Sequence, residues 1–541
     1  MKKVVVCWLL WAIALFAQGS LCLMGGRGES DDAMQWFVSK AQGGKIINID
    51  VDEAAQGYAD EFISLGADGA SHPLQIPDHA SANDSAVYKE LISAKGIFIE
   101  GGDQWDYIRV WKGTLVEDAI KYVFQQGGVI GGTSAGTAIL GEVVFDARYG
   151  SAVSSETVYN PYDYHISFTD DFLDILPNVL TDTHFFKRGR VGRLATMLAR
   201  RIKDFGNTDL LAIGVDEYTA FCIDENNIGK VLGDYSVLLM YADQSSSVIC
   251  EPGRPLTFTN IHYVQLVHGA EFDIVSKSLI NPGPRMNEVN PTWSQQTYNP
   301  IQINGSDEMA GQYGTYEVTR IYTNPSNAYY GDLRLVAAKD SLPNSIIIPK
   351  LYADSDYLMN RLIGGIYGVA LHPGISVIYA DQNTQSMVNE AGIFTADGSV
   401  MILDSRPVTH VGNSLYFSNV KGLVNARLHF LSDGEQYDLS GQSPLKLENL
   451  KPVPKHWGIM DIYPNPFNPG TTIYFSIAQM MNLQLIVYNM LGQQVYESNR
   501  SFYSIGNHTY KLHLEGLSSG NYVLELKTPF GSDYKKITLI R

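Results

Sequence analysis

Between residues 41 and 220, strand-length apolar segments alternate with helix-length amphipathic ones, and no other feature constrains the fold as much. Lys45–Ile49 and Gly96–Ile99 are short apolar strands, the second running into Glu100-Gly101-Gly102-Asp103-Gln104. Thr114–Gln126 places Val116, Ala119, Ile120, Val123 and Phe124 on one helical face. Gln125-Gln126-Gly127-Gly128 closes that helix, with glycine available for a left-handed C-cap. The strand Val129-Ile130 follows, then Gly132-Thr133-Ser134-Ala135-Gly136 and a helix start over Thr137–Leu140. Strands joined through helices predict a parallel sheet covered by helices.

Gly132-x-Ser134-x-Gly136 between a strand and a helix has the spacing of a nucleophile elbow. A serine in so tight a turn needs neighbours without side chains two residues away. The helix that follows offers backbone N–H groups to a developing oxyanion. A serine nucleophile also needs a base, and the base an orienting acid. His184 stands after the apolar stretch ending Leu180-Thr181-Asp182-Thr183, followed by Arg188, Arg190 and Arg193 at a helix start. Leu211-Ala212-Ile213-Gly214-Val215 is a buried-type strand that ends in Asp216 and Glu217. The chain order is therefore Ser, His, acid, unlike the Ser, acid, His order of α/β-hydrolases. Each residue also has an ordinary reading. His184 alone would be structural, Glu217 a solvated strand-end carboxylate, and the arginines a surface face. Their occurrence together in one order favours the chemical reading. His72, His165, His262 and His410 are expected to be structural.

Four motifs in order carry a resemblance: Gly101-Gly102-Asp103-Gln104, Gly132-Thr133-Ser134-Ala135-Gly136, Asp182-Thr183-His184-Phe185 with Arg188 and Arg193, and Gly214-Val215-Asp216-Glu217-Tyr218-Thr219-Ala220. Over residues 41–282 the chain resembles the cyanophycinase family of serine peptidases. The resemblance implies an α/β fold, a flavodoxin-like parallel-sheet sandwich related to class I glutamine amidotransferases. It implies Ser134 as nucleophile, His184 as general base and Glu217 as orienting acid, with the backbone N–H groups of Ala135 and the Gly102 turn as oxyanion hole. Gln104, Asp182, Arg188 and Arg193 match positions that line the family's substrate site. Thr183 departs from the family's Asp-Gln-His-Phe and removes a long amide, which leaves the exact substrate open. Family members cut after an aspartyl residue, and Arg188 or Arg193 is suited to fork onto a carboxylate. No cofactor or metal is implied, and a homodimer is among the assemblies expected.

The ends of the chain read as addresses. Met1-Lys2-Lys3, the apolar run Val4–Ala17 and Ala17-Gln18-Gly19 make a secretory signal peptide over 1–19, too short to span a bilayer. Residues 20–40 read as an N-terminal linker. Cleavage near Gly19 leaves Cys22, Cys222 and Cys250, and outside the cytosol a Cys222–Cys250 disulfide is permitted, with two buried thiols the alternative. The last 80 or so residues differ in texture. Strand-like runs at Thr472–Ile477, Leu483–Tyr488, Gln494–Glu497, Thr509–Leu514, Tyr522–Lys527 and Tyr534–Ile540 alternate with turn signals and predict a β-sandwich over 456–541. Tyr463-Pro464-Asn465-Pro466-Phe467-Asn468-Pro469, Val487-Tyr488-Asn489-Met490-Leu491-Gly492 and Leu517-Ser518-Ser519-Gly520-Asn521-Tyr522 resemble the C-terminal sorting domain of type IX secretion substrates. That resemblance implies the secretion machinery as a partner and a secreted or cell-surface location.

Residues 283–455 are β-rich and echo the first domain. Leu176-Pro177-Asn178 recurs as Leu342-Pro343-Asn344, Ile213-Gly214-Val215 as Tyr367-Gly368-Val369, and Thr257–Phe272 resembles Tyr416–Leu439, with Phe258-Thr259-Asn260 set against Phe417-Ser418-Asn419. Read as a drifted partial repeat, this copy is inactive: it lacks GxSxG, Lys350 falls where His184 would, and no Glu matches Glu217. An unrelated β-rich domain is the competing reading. The net charge of −18, from 39 basic and 57 acidic residues, argues against nucleic acid or anionic lipid as a partner. With no CxxC and no HExxH, a zinc site has no support. The expectation is a secreted serine peptidase acting on aspartyl peptide bonds, most simply those of a β-Asp-Arg polymer. The alternatives are another serine hydrolase on a related scaffold, or a catalytically silent surface-binding protein.

Overall fold

The computed structural model describes residues 19–293, 296–320, 333–352, 355–382, 384–441, 457–477, 481–498, 500–503, 506–528 and 531–540. The signal-peptide expectation falls on 1–19 and, Gly19 apart, lies outside the described residues.

The first sheet is built as the alternation predicts. Strands β1 (Ser20–Met24), β2 (Gly96–Ile99) and β3 (Val129–Thr133) run parallel with Ile46–Asp50 and His72–Gln75. The helix Leu115–Gln125 buries Val116, Ala119, Ile120, Val123 and Phe124, the face read from the sequence, and Gly127 takes φ +78° just after its end. A second sheet starts from β4 (Leu176–Asp182), helix α1 (Val191–Phe205) and β5 (Leu211–Val215), with β4 and β5 parallel across the crossover. The chain returns to the first sheet through β6 (Thr219–Ile223), then adds β7 (Ser236–Tyr241) and β8 (Thr257–Val267) to the second.

Residues 20–40 are not a linker. β1 lies inside the first sheet, parallel to β3 and antiparallel to β6, and Asp31–Lys40 is a helix. Leu21-Cys22-Leu23-Met24 is at most 1% exposed and uninterruptedly apolar, as a strand covered on both faces must be. Its position beside the apolar run Val4–Ala17 conceals it in the sequence. Of the two readings left open for the cysteines, the structure has the buried thiols: Cys222 and Cys250 are both buried and unlinked, and Cys222 faces Cys22 across β1 and β6 rather than Cys250.

The middle region continues the second sheet. Strands β9 (Leu342–Ile348), β10 (Ser376–Ala380), β11 (Val400–Asp404) and β12 (Lys421–Leu431) follow, with helix α2 (Ser355–Leu371) between β9 and β10. From the antiparallel β8–β12 pair the order reads β7, β5, β4 on one side and β11, β10, β9 on the other, with the same strand directions. Local irregularities also match. Asn178 and Asn344 take φ +54° and +55°, Asn260 and Asn425 take +55° and +68°, and Gly269 and Gly434 take +86° and +77°. In the central pair Phe258 opposes Phe430, Gln265 opposes Leu423, and His262 opposes Arg427 between them. Two of the sequence matches are off register. Tyr367-Gly368-Val369 lies within α2 while the counterpart of β5 is β10, and Asn260 corresponds to Asn425 rather than Asn419. Short apolar triplets repeat by chance in such β-rich sequence, whereas left-handed asparagines mark the bulges.

The C-terminal region has a core of its own, formed by Ile473, Phe475, Leu485, Val487, Leu512, Leu524, Leu526 and Ile537. Its strands include Gly470–Ile477, Met481–Asn489, Gln494–Glu497, Gly506–His513, Gly520–Thr528 and Gly531–Leu539, each overlapping a run read from the sequence. They form two antiparallel sheets.

Candidate active site

Ser134 sits between β3 and the short helix Ala135–Ala138 with φ +52° and ψ −113°, a conformation a side-chain-bearing residue adopts only under constraint. The elbow is that tight because two glycines let backbone meet backbone. A Cβ on Gly132 would lie 2.4 Å from the Gly136 carbonyl carbon, and one on Gly136 would lie 2.1 Å from the Ile99 carbonyl oxygen. The end of β1 braces the turn. Met24 O accepts from the Ser134 N–H at 3.1 Å and from the Thr137 hydroxyl at 2.8 Å, and the Met24 N–H donates to Thr137 Oγ1 at 2.9 Å.

His184 follows β4 with φ +45°, and its N–H donates to Gly25 O at 2.9 Å. Its Nε2 lies 2.8 Å from Ser134 Oγ, and its Nδ1 lies 2.8 Å from Glu217 Oε1. Glu217 follows β5, where Asp216 Oδ1 accepts its backbone N–H at 3.1 Å. Gly26, at φ +102°, carries the chain over the pair; a Cβ there would stand 2.6 Å from His184 Cε1. The three residues thus form one hydrogen-bonded chain, with His184 and Glu217 buried. The Gly101 turn passes close by, since a Cβ on Gly101 would lie 3.4 Å from Ser134 Cβ. The N–H of Ala135 is at the first position of its helix, where no intrahelical acceptor exists.

Burial alone would raise the Glu217 carboxyl, but the His184 hydrogen bond and charge, with Arg27 at 4.0 Å, hold it below the usual glutamate range. Arg188 is exposed on the turn after His184, so this side of the triad carries positive charge. Beside Tyr218 a cavity of about 320 Å³ has the opposite character. Its lining includes Glu29, Asp31, Asp32 and Asp234, with Tyr416 reaching it from the middle region. Burial, with repulsion from Asp31 and Asp32, outweighs the nearby His268 and raises the Asp234 carboxyl.

The other expected substrate residues divide. Gln104 begins the helix Gln104–Trp111 beyond Asp103, and its side-chain amide donates to Phe145 O at 3.2 Å. Arg188 points to solvent. Asp182 and Arg193 do not stand as free ligands: Arg193 Nε donates to Asp182 Oδ2 at 3.0 Å, Nη2 donates to Oδ1, and both side chains are at most 3% exposed. Arg190 completes the cluster, donating to Asp182 Oδ1 at 3.0 Å and to Thr183 O at 2.7 Å. The fork expected on a substrate carboxylate is therefore already taken by Asp182, and the cluster props the Thr183-His184 turn from below. Burial also draws the Arg190 guanidinium down to about 9, and the two arginines hold the Asp182 carboxyl below its ordinary range despite its burial. His165 and His262 pair with Asp163 and Asp243 outside the triad.

Sequence reasoning missed Met24, Gly25, Gly26 and Arg27, which brace or face the triad. Leu21-Cys22-Leu23-Met24 followed by Gly25-Gly26-Arg27-Gly28 is a strand running into a glycine turn, so the signal was present.

Residues 34–229 match peptidase family S51, and residues 461–540 match a secretion system C-terminal sorting domain. A cyanophycinase of Synechococcus elongatus is 28% identical over 210 residues, covering 39% of this chain and 57% of that one. One from Trichormus variabilis is 28% identical over 228 residues, covering 41% and 71%. The chain thus spans little more than half the length of the first of these relatives. Among solved structures, a peptidase from an acI-B1 Actinobacterium is similar with a TM-score of 0.34 and 21% identity, covering 48% of this chain and 98% of that one. The sorting domain marks a secreted or cell-surface protein. Among the described residues, no helix is long and apolar enough to cross a membrane.

Proposed function

For a chain that carries a peptidase family S51 domain ahead of a secretion sorting domain, we propose a serine-type peptidase that hydrolyses aspartyl peptide bonds after export. The observation that carries this reading is the Ser134–His184–Glu217 hydrogen-bonded chain, with the nucleophile held in a strained elbow. His184 Nε2 takes the Ser134 proton as Oγ attacks the scissile carbonyl, and Glu217 holds the imidazole through Nδ1. The Ala135 and Gly102 N–H groups receive the oxyanion. His184 then protonates the leaving amine, and water attacks the acyl-enzyme with His184 as base.

The substrate reading is a β-Asp-Arg polymer such as the cyanophycinases' names indicate, or a related aspartyl peptide. Two charge features support it. Arg188 and Arg27 offer cations to an aspartyl carboxylate, and the acidic cavity beside Tyr218 offers carboxylates to a guanidinium. The middle region is read as an inactive partial copy that extends the catalytic half's sheet. The leader over 1–19 and the tail would deliver the protein through the type IX machinery.

Purified mature protein offered a β-Asp-Arg polymer beside α-linked aspartyl peptides should release Asp-Arg products from the polymer, and Ser134→Ala should release none. Cleavage of the α-linked peptides alone would overturn the substrate, and turnover by the Ser134→Ala variant would overturn the mechanism.

A further inference from the structure

Cys22 and Cys222 stand directly opposite each other across the antiparallel β1–β6 pair. The Gly25 N–H donates to Thr219 O, which makes Gly25 and Thr219 a hydrogen-bonded pair three residues further along. Pair types alternate along an antiparallel ladder, so Cys22 and Cys222 form a non-hydrogen-bonded pair, the kind whose Cα atoms approach to about 4.5 Å. That spacing lies within the roughly 4.4–6.8 Å a disulfide spans. The two Sγ atoms are already 3.5 Å apart, and both residues are at most 1% exposed. Small side-chain rotations would bring them to bonding distance without moving the strands.

The sorting domain directs the chain out of the cytosol, into compartments where disulfides form and persist. We propose that Cys22 and Cys222 are joined by a disulfide in the exported protein, and that this bond staples the catalytic scaffold. The bond forms by exchange. One cysteine thiolate attacks the disulfide of a thiol-oxidising partner to give a mixed disulfide, and the second thiolate displaces that partner. The chain loses two protons and two electrons, and the partner's disulfide is reduced to two thiols. Burial pushes the Cys222 thiol up, so the thiolate is scarce once the sheet has closed and exchange belongs to folding.

The position gives the bond its consequence. Two residues beyond Cys22, Met24 O accepts from the nucleophile's N–H, and Gly25 O accepts from the base's N–H. β6 starts at Thr219, two residues after Glu217. The disulfide therefore ties the strand that braces Ser134 and His184 to the strand that leaves the acid. It also adds a covalent tie to the first strand of the sheet, which is otherwise held by packing and hydrogen bonds.

The test compares full-length protein secreted by a type IX-competent host with the same chain made in a reducing cytosol. In a non-reduced peptide map of the secreted form, the Cys22 and Cys222 peptides should be linked and Cys250 alone should react with an alkylating agent. Dithiothreitol should lower its Tm by about 5 °C or more. A Cys22→Ser/Cys222→Ser variant should show no response to reductant, and if it does not fold, Cys250→Ser must keep both the link and the response. Three alkylated cysteines in the unreduced secreted protein, or a link to Cys250, would overturn the proposal.

Discussion

His184 and Lys350 occupy corresponding places in the two halves of the core, one after β4 and the other after β9. Both take positive φ, at +45° and +55°, and both donate their N–H to a glycine carbonyl, Gly25 at 2.9 Å and Gly305 at 3.0 Å. The next residues, Phe185 and Leu351, donate to Val215 O and Ala380 O. A Cβ on Gly25 would strike Asp216 O at 1.8 Å, and one on Gly305 would strike Asp381 O at 1.8 Å. Gln382 therefore stands where Glu217 does. The middle region keeps this backbone geometry with other side chains, Lys350 at the place of His184 and Gln382 at that of Glu217, and its sequence has no GxSxG. Positive φ and close glycines thus belong to the shared scaffold, and the side chains differ.

Giving the Ser134-bearing half a side chain of its counterpart tests the proposed roles directly. Glu217→Gln installs the residue found at the matching place and replaces the charged acceptor that fixes the His184 tautomer with a neutral amide, one end of which is a donor. The kcat should fall by about 10³- to 10⁴-fold with little change in KM, measured on whichever substrate the wild type cleaves. A loss below tenfold would mean that Glu217 is not the orienting acid.

The seam between the halves gives the next effect. Leu428 on β12 opposes Ile261 on β8, and both are buried in the same core cluster. Leu428→Ala should cost about 2–5 kcal/mol in denaturant unfolding while kcat at low temperature stays near wild type. Independent melting of two units, with only one sensitive to this change, would break the picture of one continuous sheet.

The smallest effect is in pH. The Glu217 carboxyl titrates below its unfolded value, so its contribution to stability is present above the ordinary glutamate pKa and is lost as pH falls through the depressed one. The Tm difference between wild type and Glu217→Gln should narrow over that acidic window. A gap that stays constant from neutral pH to below the ordinary value would contradict an ionised Glu217 held by the His184 hydrogen bond.

Much of the catalytic half was legible because its signals are local. The Leu115–Gln125 face follows from helical spacing, and the elbow follows from two glycines that backbone contact forces. That Ser134, His184 and Glu217 meet was legible because each follows a buried strand. What stayed hidden depends on distant pairing. β1 reads as the trailing edge of a leader until β3 and β6 are placed on either side of it. Arg193 reads as a substrate fork because nothing local shows that Asp182, eleven residues earlier, already fills it. Leu176-Pro177-Asn178 and Leu342-Pro343-Asn344 mark matching places because a left-handed asparagine sits at each, whereas Tyr367-Gly368-Val369 misled, since only letters matched.

The central claim is that Ser134 is the nucleophile of a single active centre. A fluorophosphonate probe followed by peptide mapping tests it most directly. One label per chain is expected, on Ser134, with hydrolysis lost in proportion to labelling and no label in Ser134→Ala or His184→Ala. Label on another serine, or full hydrolysis by protein labelled at Ser134, would contradict it.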